Sequence, residues 1–259
     1  MLGGRLASEG AVQVGEAFTD VPEADELVRT CPEAFLLGVL FTQGIPAERA
    51  WAGPYQLRER LGHLDLRRLA SEREAVAEAV ARPPALHRFT VTLAGWISDT
   101  AGLLIERYGG RAASVWEDRP SADVLATRLM EFPGIGRKKA AMAVELLARC
   151  FGVDVCELES GTVAYDTHVR RVFLRSGLVD RDTPGEVARA AAEANPEAPG
   201  RLDLPAWLIG RQWCRPHAPA CDECWLGDVC PRLTDRSVPG VGARTRPAEP
   251  RNGGERSAS

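Results

Sequence analysis

The chain of 259 residues is predicted to be all-α, on three observations. Apolar residues recur at helical spacing through most of the sequence. Glycine or proline stops one periodic stretch after another. No segment alternates apolar and polar residues as a strand would, the short apolar stretch 152–156 being the nearest approach. Taken in order, residues 34–42 form an apolar helix, 48–61 a second, and 72–81 an exposed, alanine-rich third that Arg82-Pro-Pro84 breaks. Residues 86–108 read as one long helix with a wide apolar face, stopped at Gly109-Gly110. The next, 121–131, starts at a serine or aspartate cap. Residues 137–150, 167–175, 183–194 and 204–211 complete the set.

An apolar content of 45% marks a soluble globular protein, and no apolar run reaches the length that spans a bilayer. The start, MLGGRLASEG, lacks the basic region and apolar run of a secretory signal, so a disulfide framework is not expected. The formal charge of -4 argues by itself against nucleic acid. The distribution is uneven, however. Residues 232–259 hold six arginines and three acids, which leaves about -7 on residues 1–231, so any contact with DNA has to come from a local patch. Residues 237–259 have no apolar period and read as a disordered, solubilising tail. Of the 32 basic residues only two are lysines, the adjacent Lys138 and Lys139. In so arginine-rich a chain a lysine is worth attention, because arginine cannot release its proton to become an amine nucleophile.

Four cysteines close the folded part as Cys214-x6-Cys221-x2-Cys224-x5-Cys230. Thiolates this close together suit the four irons of a [4Fe-4S] cluster or one tetrahedral zinc. The uneven gaps favour the cluster over zinc, whose ligands commonly pair at two to four intervening residues. Cys31, Cys150 and Cys156 stand apart and read as ordinary buried cysteines.

Phe132-Pro-Gly-Ile-Gly-Arg-Lys138 joins two helices through a turn in which Gly134 and Gly136 permit close approach. Together with the first amides of the next helix, these glycines make a seat for a phosphate, and Arg137 and Lys139 add positive charge. Cationic neighbours and partial burial are expected to lower the pKa of Lys138 and raise its share of neutral amine. Twenty-eight residues on, Tyr165-Asp-Thr-His168 supplies a carboxylate, Asp166. Asp166 or Thr167 serves as a helix cap, and a carboxylate so fixed can support positive charge developing on a sugar. Glu157 and Glu159 read as solvated loop charges.

These three ordered motifs resemble the endonuclease III family of helix-hairpin-helix DNA glycosylases. Phe132-Pro-Gly-Ile-Gly-Arg-Lys138 is similar to the hairpin with its catalytic lysine, Asp166-Thr-His168 to the catalytic aspartate segment, and Cys214, Cys221, Cys224 and Cys230 to the cluster ligands. The likeness covers roughly residues 31–231. It implies a two-domain fold, with a six-helix barrel over 32–150 that includes the hairpin and an iron-sulfur domain built from 1–31 and 151–236. It further implies excision of oxidised pyrimidines and cleavage at abasic sites through a Schiff base on Lys138, with Asp166 assisting. The implied partner is double-stranded DNA carrying damaged bases or abasic sites. A monomer in the bacterial cytoplasm, associated with the nucleoid, is expected. Gln43 matches the family's glutamine that probes the gap left by a flipped nucleotide, and His168 and Arg215 join the expected DNA contacts.

Several features depart from the family pattern. Gly44-Ile45-Pro46 replaces the usual continuation after Gln43. The family's apolar wedge is represented by Phe89 or Leu86, for both of which core packing is the first expectation. The loop 215–220 is less basic than usual and is followed by Asp222 and Glu223, which should weaken phosphate contacts. Residues 153–162 read as an insertion flanking the cleft. Two other functions compete: a monofunctional glycosylase, against which Lys138 argues, and a DNA-binding iron-sulfur module without appreciable catalysis, which the acidic charge favours.

Overall fold

The computed structural model describes residues 18–235. The readings of the N-terminal ten residues and of the 237–259 tail lie outside them. Eleven α-helices occur among the described residues, and the one paired stretch of extended backbone is a bridge between Ser121 and Cys156. They are α1 (Pro22–Thr30), α2 (Pro32–Phe41), α3 (Ala47–Leu61), α4 (Leu66–Ser71), α5 (Arg73–Ala81) and α6 (Thr90–Arg107). After these come α7 (Ala122–Leu129), α8 (Arg137–Cys150), α9 (Thr167–Arg175), α10 (Pro184–Ala194) and α11 (Asp203–Gln212). The all-α class is as the periodicity required.

Two of these helices went unread in the sequence. Proline in the first turn, followed by Glu23 and Asp25, starts α1. Asp65 caps α4 by accepting the Arg68 amide, but a helix of six residues is too short to show a period. The long helix expected over 86–108 begins instead at Thr90. The backbone before it is held out of helix: the Leu86 amide donates to Val80 O, the Phe89 amide donates to His87 Nδ1, and His87 Nε2 lies 2.9 Å from Gln43 O.

The helices pack around two apolar cores. The first holds α1 to α8. Its centre is α2, which is apolar on every side and therefore buried on every side. Phe35, Leu36, Leu37, Leu40 and Phe41 are all at most 2% exposed, each worth about 1.5–3 kcal/mol of transfer from water. The second core joins α9, α10, α11 and the cysteine loop through Val169, Phe173, Ala191, Leu202, Ile209 and Leu226. Helix α1 falls in the part of the chain that the sequence groups with the residues after 150, yet it packs on α2 and α3 and places Val28 in the first core. The two cores meet where α8 touches α11 and the short helix Pro199–Leu202, and Lys138 of α8 meets Asp166, at the start of α9, across that boundary.

Candidate active site at the junction of the two cores

The hairpin turn is fixed by two glycines with different tasks. Gly134 has φ +78°, and a Cβ there would lie 2.4 Å from the Trp96 ring, so only glycine fits. Gly136 is extended, at φ -94° and ψ 179°, and a Cβ there would meet nothing within 4 Å. It opens onto the surface beside exposed Arg137 and Lys138. Ile135 between them is buried and anchors the turn in the first core.

Successive residues on a helix point about 100° apart, and here that separates the two lysines. The Lys138 side chain is 57% exposed and its Nζ lies 3.4 Å from Asp166 Oδ2. Lys139 turns inward, is 7% exposed, donates to Leu40 O at 2.9 Å and sits over the Trp96 ring. Burial, aided by the neighbouring Lys138 charge, lowers the Lys139 pKa to about 8. The lysine with the depressed pKa is thus Lys139, and the assignment of Lys139 to a DNA surface is corrected: its amine is spent on the C-terminal end of α2. The period held the clue, since Lys139 lies in line with Ala143 and Leu146 on the buried face of α8.

Asp166 is the N-cap of α9. Its Oδ1 accepts the His168 and Val169 amides, both at 2.8 Å, and its Oδ2 is left to face Lys138. One oxygen fixes the carboxylate and the other presents its charge to the amine. Capping therefore leaves one carboxylate oxygen for Lys138. His168 is half-buried, stacked edgewise on Trp207 with Nδ1 3.2 Å from the Arg171 guanidinium, which makes it a packing residue first.

A second carboxyl, missed in the sequence, stands next to this pair. Asp203 is 6% exposed and accepts the Ala164 amide at 2.7 Å. Burial first, then the Asp166 charge, raises its pKa to about 8. Glu145 is also buried and raised by desolvation, against the pull of Arg149 and Arg201. Nothing in the local sequence separates Asp203 from a routine acid in the first turn of a helix.

Residues 153–162, read from the sequence as an insertion, do not hang free. Cys156 bonds through its backbone to Pro120 O and the Ala122 amide, and Arg119 pairs with Asp154 at 2.6 Å. The insertion thereby walls a cleft of about 300 Å³ between α7 and α8, with Arg137 and Glu145 in its lining.

At the far edge of the first core, Gln43 is exposed beside Phe89, which is 43% exposed under the Arg88 guanidinium. Leu86 is 2% exposed. Core packing therefore describes Leu86 and not Phe89.

The four cysteines of the ladder line one cavity, walled by Val172, Ile209, Trp213 and Leu226. Among the described residues no three His, Cys, Asp or Glu side chains converge to hold a single metal ion. Burial, and beyond it the other thiolates, pushes the Cys224 and Cys230 thiols up, opposed by amide bonds from Leu226 and Arg232. Two buried arginines of α9 hold the loop. Arg171 donates to Cys214 O and Gly210 O at 2.5 and 2.6 Å, and Arg175 to Arg215 O and Pro216 O at 2.7 and 3.1 Å. The Arg215 side chain is exposed. The helix that Asp166 caps is thus the one that grips the cysteine loop. Cys31, Cys150 and Cys156 are half-buried, apart from the ladder.

No family model matches the sequence. Endonuclease III of Thermotoga maritima is 30% identical over 135 residues, 52% of this chain and 54% of the relative. Endonuclease III of Treponema pallidum is 33% identical over 107 residues, 40% of this chain and 46% of the relative. The chain thus spans about half the length of the curated relatives it matches. Among solved structures, a trapped endonuclease III–DNA covalent intermediate superposes with a TM-score of 0.63 at 22% identity, over 89% of this chain and 94% of that one. A thermostable thymine-DNA glycosylase gives 0.64 at 14% identity, over 91% and 96%. Likeness in sequence and likeness in fold point the same way: the chain is similar to endonuclease III over about half its length and shares the fold of endonuclease III and a thymine-DNA glycosylase.

Proposed function

We propose that the chain is a bifunctional DNA glycosylase and AP lyase that excises oxidised pyrimidines from double-stranded DNA and cleaves at abasic sites in base excision repair. The observation that carries this reading is the exposed amine of Lys138, 3.4 Å from the oriented Oδ2 of Asp166, at the junction of two helical cores. A neutral Lys138 amine attacks C1′ of an extruded nucleotide while the bond from C1′ to the base breaks and the base leaves with the electron pair. Asp166 supports the positive charge that develops on the sugar, or takes the proton that Lys138 must lose. Opening of the sugar ring gives an iminium between Lys138 and C1′. Loss of a proton from C2′ then expels the 3′ phosphate and nicks the strand.

Gly134, Gly136 and the first amides of α8, with Arg137, would receive a phosphate of the backbone. Gln43 and Phe89 stand together at the surface and would enter the gap left by the extruded nucleotide. Arg215 adds one cation near the cysteine loop. Cys214, Cys221, Cys224 and Cys230 would hold a [4Fe-4S] cluster: they line one apolar cavity, and their uneven spacing suits four irons better than one tetrahedral zinc. The cluster would supply a covalent tie that organises the loop gripped by α9.

The test is borohydride trapping on a duplex with one abasic site, comparing the wild type with Lys138→Ala. A covalent adduct in the wild type and none in Lys138→Ala, with duplex binding retained, is expected. Buried Lys139 serves as an internal control, and an adduct persisting in Lys138→Ala would refute the assignment.

A further inference from the structure

Behind the Lys138–Asp166 pair the chain buries a carboxyl that the reaction as written does not use. Asp203, at the start of α11, accepts the Ala164 amide at 2.7 Å, and the Asp166 amide in turn donates to Ala164 O at 2.8 Å. The short extended segment that delivers Asp166 to α9 is therefore clamped from α11. We propose that Asp203 is a positioning residue of this site, anchoring the segment that carries Asp166 and governing the charge that Asp166 presents to Lys138. The proposal rests on the lyase reading given above.

The charged groups acting on Asp203 come from each element around it. Asp166 at the start of α9 and Glu145 of α8 oppose its ionisation, and Lys138 of α8 favours it. Glu145 is itself offset by Arg149 and Arg201. With three carboxyls gathered in a buried space, one of them stays neutral most readily, and full burial selects Asp203, whose pKa stands at about 8. At neutral pH Asp203 then holds its proton and still accepts the Ala164 amide, so it adds no negative charge beside Asp166. Above pH 8 a negative charge arises on Asp203 next to Asp166, changes the field at the Lys138 amine and slows attack.

The test uses the full-length protein and two variants, Asp203→Asn and Asp203→Ala. Asparagine keeps an oxygen for the Ala164 amide and cannot ionise, whereas alanine leaves that amide unpaired. The initial rate of adduct trapping on the abasic duplex is measured from pH 6 to 10. Asp203→Asn is expected within about twofold of wild type at pH 7, and the ratio of wild type to Asp203→Asn is expected to fall about twofold by pH 8 and about tenfold by pH 9. Asp203→Ala is expected to lose at least about tenfold at every pH while binding the duplex as wild type does. A pH-independent ratio for Asp203→Asn, or equal losses in both variants at pH 7, overturns the proposal.

A readout without catalysis separates this proposal from the lyase reading. Asp203 has a folded pKa above its unfolded value, so its contribution to stability is present below about pH 4 and is lost as pH rises to about 8. The apparent melting temperature of wild type should therefore decline relative to Asp203→Asn across that window. If no adduct forms in any protein but this decline is seen, the lyase reading fails and the assignment of the buried acid stands. A flat difference removes Asp203 whatever the trapping shows.

Discussion

Replacing each of the two hairpin glycines by alanine should produce opposite phenotypes, although they lie two residues apart in one motif. At position 134 the alanine would adopt φ +78°, a left-handed conformation costing about 1–2 kcal/mol, and its Cβ would be driven to within 2.4 Å of Trp96. Overpacking of that kind adds about 1–3 kcal/mol, so Gly134→Ala is expected to lose about 2–5 kcal/mol of stability. At position 136 the backbone is extended and the new methyl meets nothing within 4 Å. Two smaller effects oppose each other there. Alanine is a poorer N-cap than glycine by about 0.5–1 kcal/mol, and it restricts the unfolded chain, which returns about 0.4–1 kcal/mol. Gly136→Ala should therefore melt within a few degrees of wild type. Its methyl would stand where the proposed phosphate approaches the backbone amides, and the loss of a charge-assisted bond of about 1.5–3 kcal/mol weakens duplex binding about tenfold or more. The assay pairs thermal unfolding with duplex binding measured by fluorescence anisotropy over a salt series, in which Gly136→Ala should also show a shallower salt slope. Equal losses of stability in the two variants, or unchanged binding and salt slope in Gly136→Ala, would refute the division of labour.

The other two predictions concern buried cations. The Lys139 amine releases its proton near pH 8 in the folded chain and near pH 10.5 when unfolded, so the unfolded state binds more protons between these values and stability rises with pH there. Denaturant unfolding should show wild type gaining about 3 kcal/mol on Lys139→Met between pH 7.5 and 10.5; a constant difference would mean that the amine is not desolvated. Arg171→Met would leave Cys214 O, Gly210 O and Thr167 O without the guanidinium, costing about 3 kcal/mol, and should speed the loss of iron absorbance from the loaded protein on mild heating. Unchanged melting together with unchanged iron retention would exclude α9 as the brace of the cysteine loop.

Helix positions were legible because the signals that set them are local. The apolar period of α8 and the cap at Asp166 gave residues 137–150 and 167–175 their bounds directly. The start of α6 was not legible, because a histidine reaching across to Gln43 O holds residues 86–89 out of helix, and that partner is 44 residues away. The hairpin lysine, the aspartate and the cysteine ladder were found as motifs, since residue type and spacing are local properties of the sequence.

The sequence by itself determined an all-α chain, the order of its candidate motifs and the pairing of a candidate lysine nucleophile with a helix-capping carboxylate. The tertiary structure alone decided which of two adjacent lysines meets that carboxylate and which is buried under α2, that Phe89 is exposed while Leu86 is not, and that Asp203 stands behind Asp166. The reason is physical: helix formation follows from interactions within a few residues, whereas desolvation and charge coupling depend on neighbours brought together from α2, α8, α9 and α11, and no short stretch of sequence contains them.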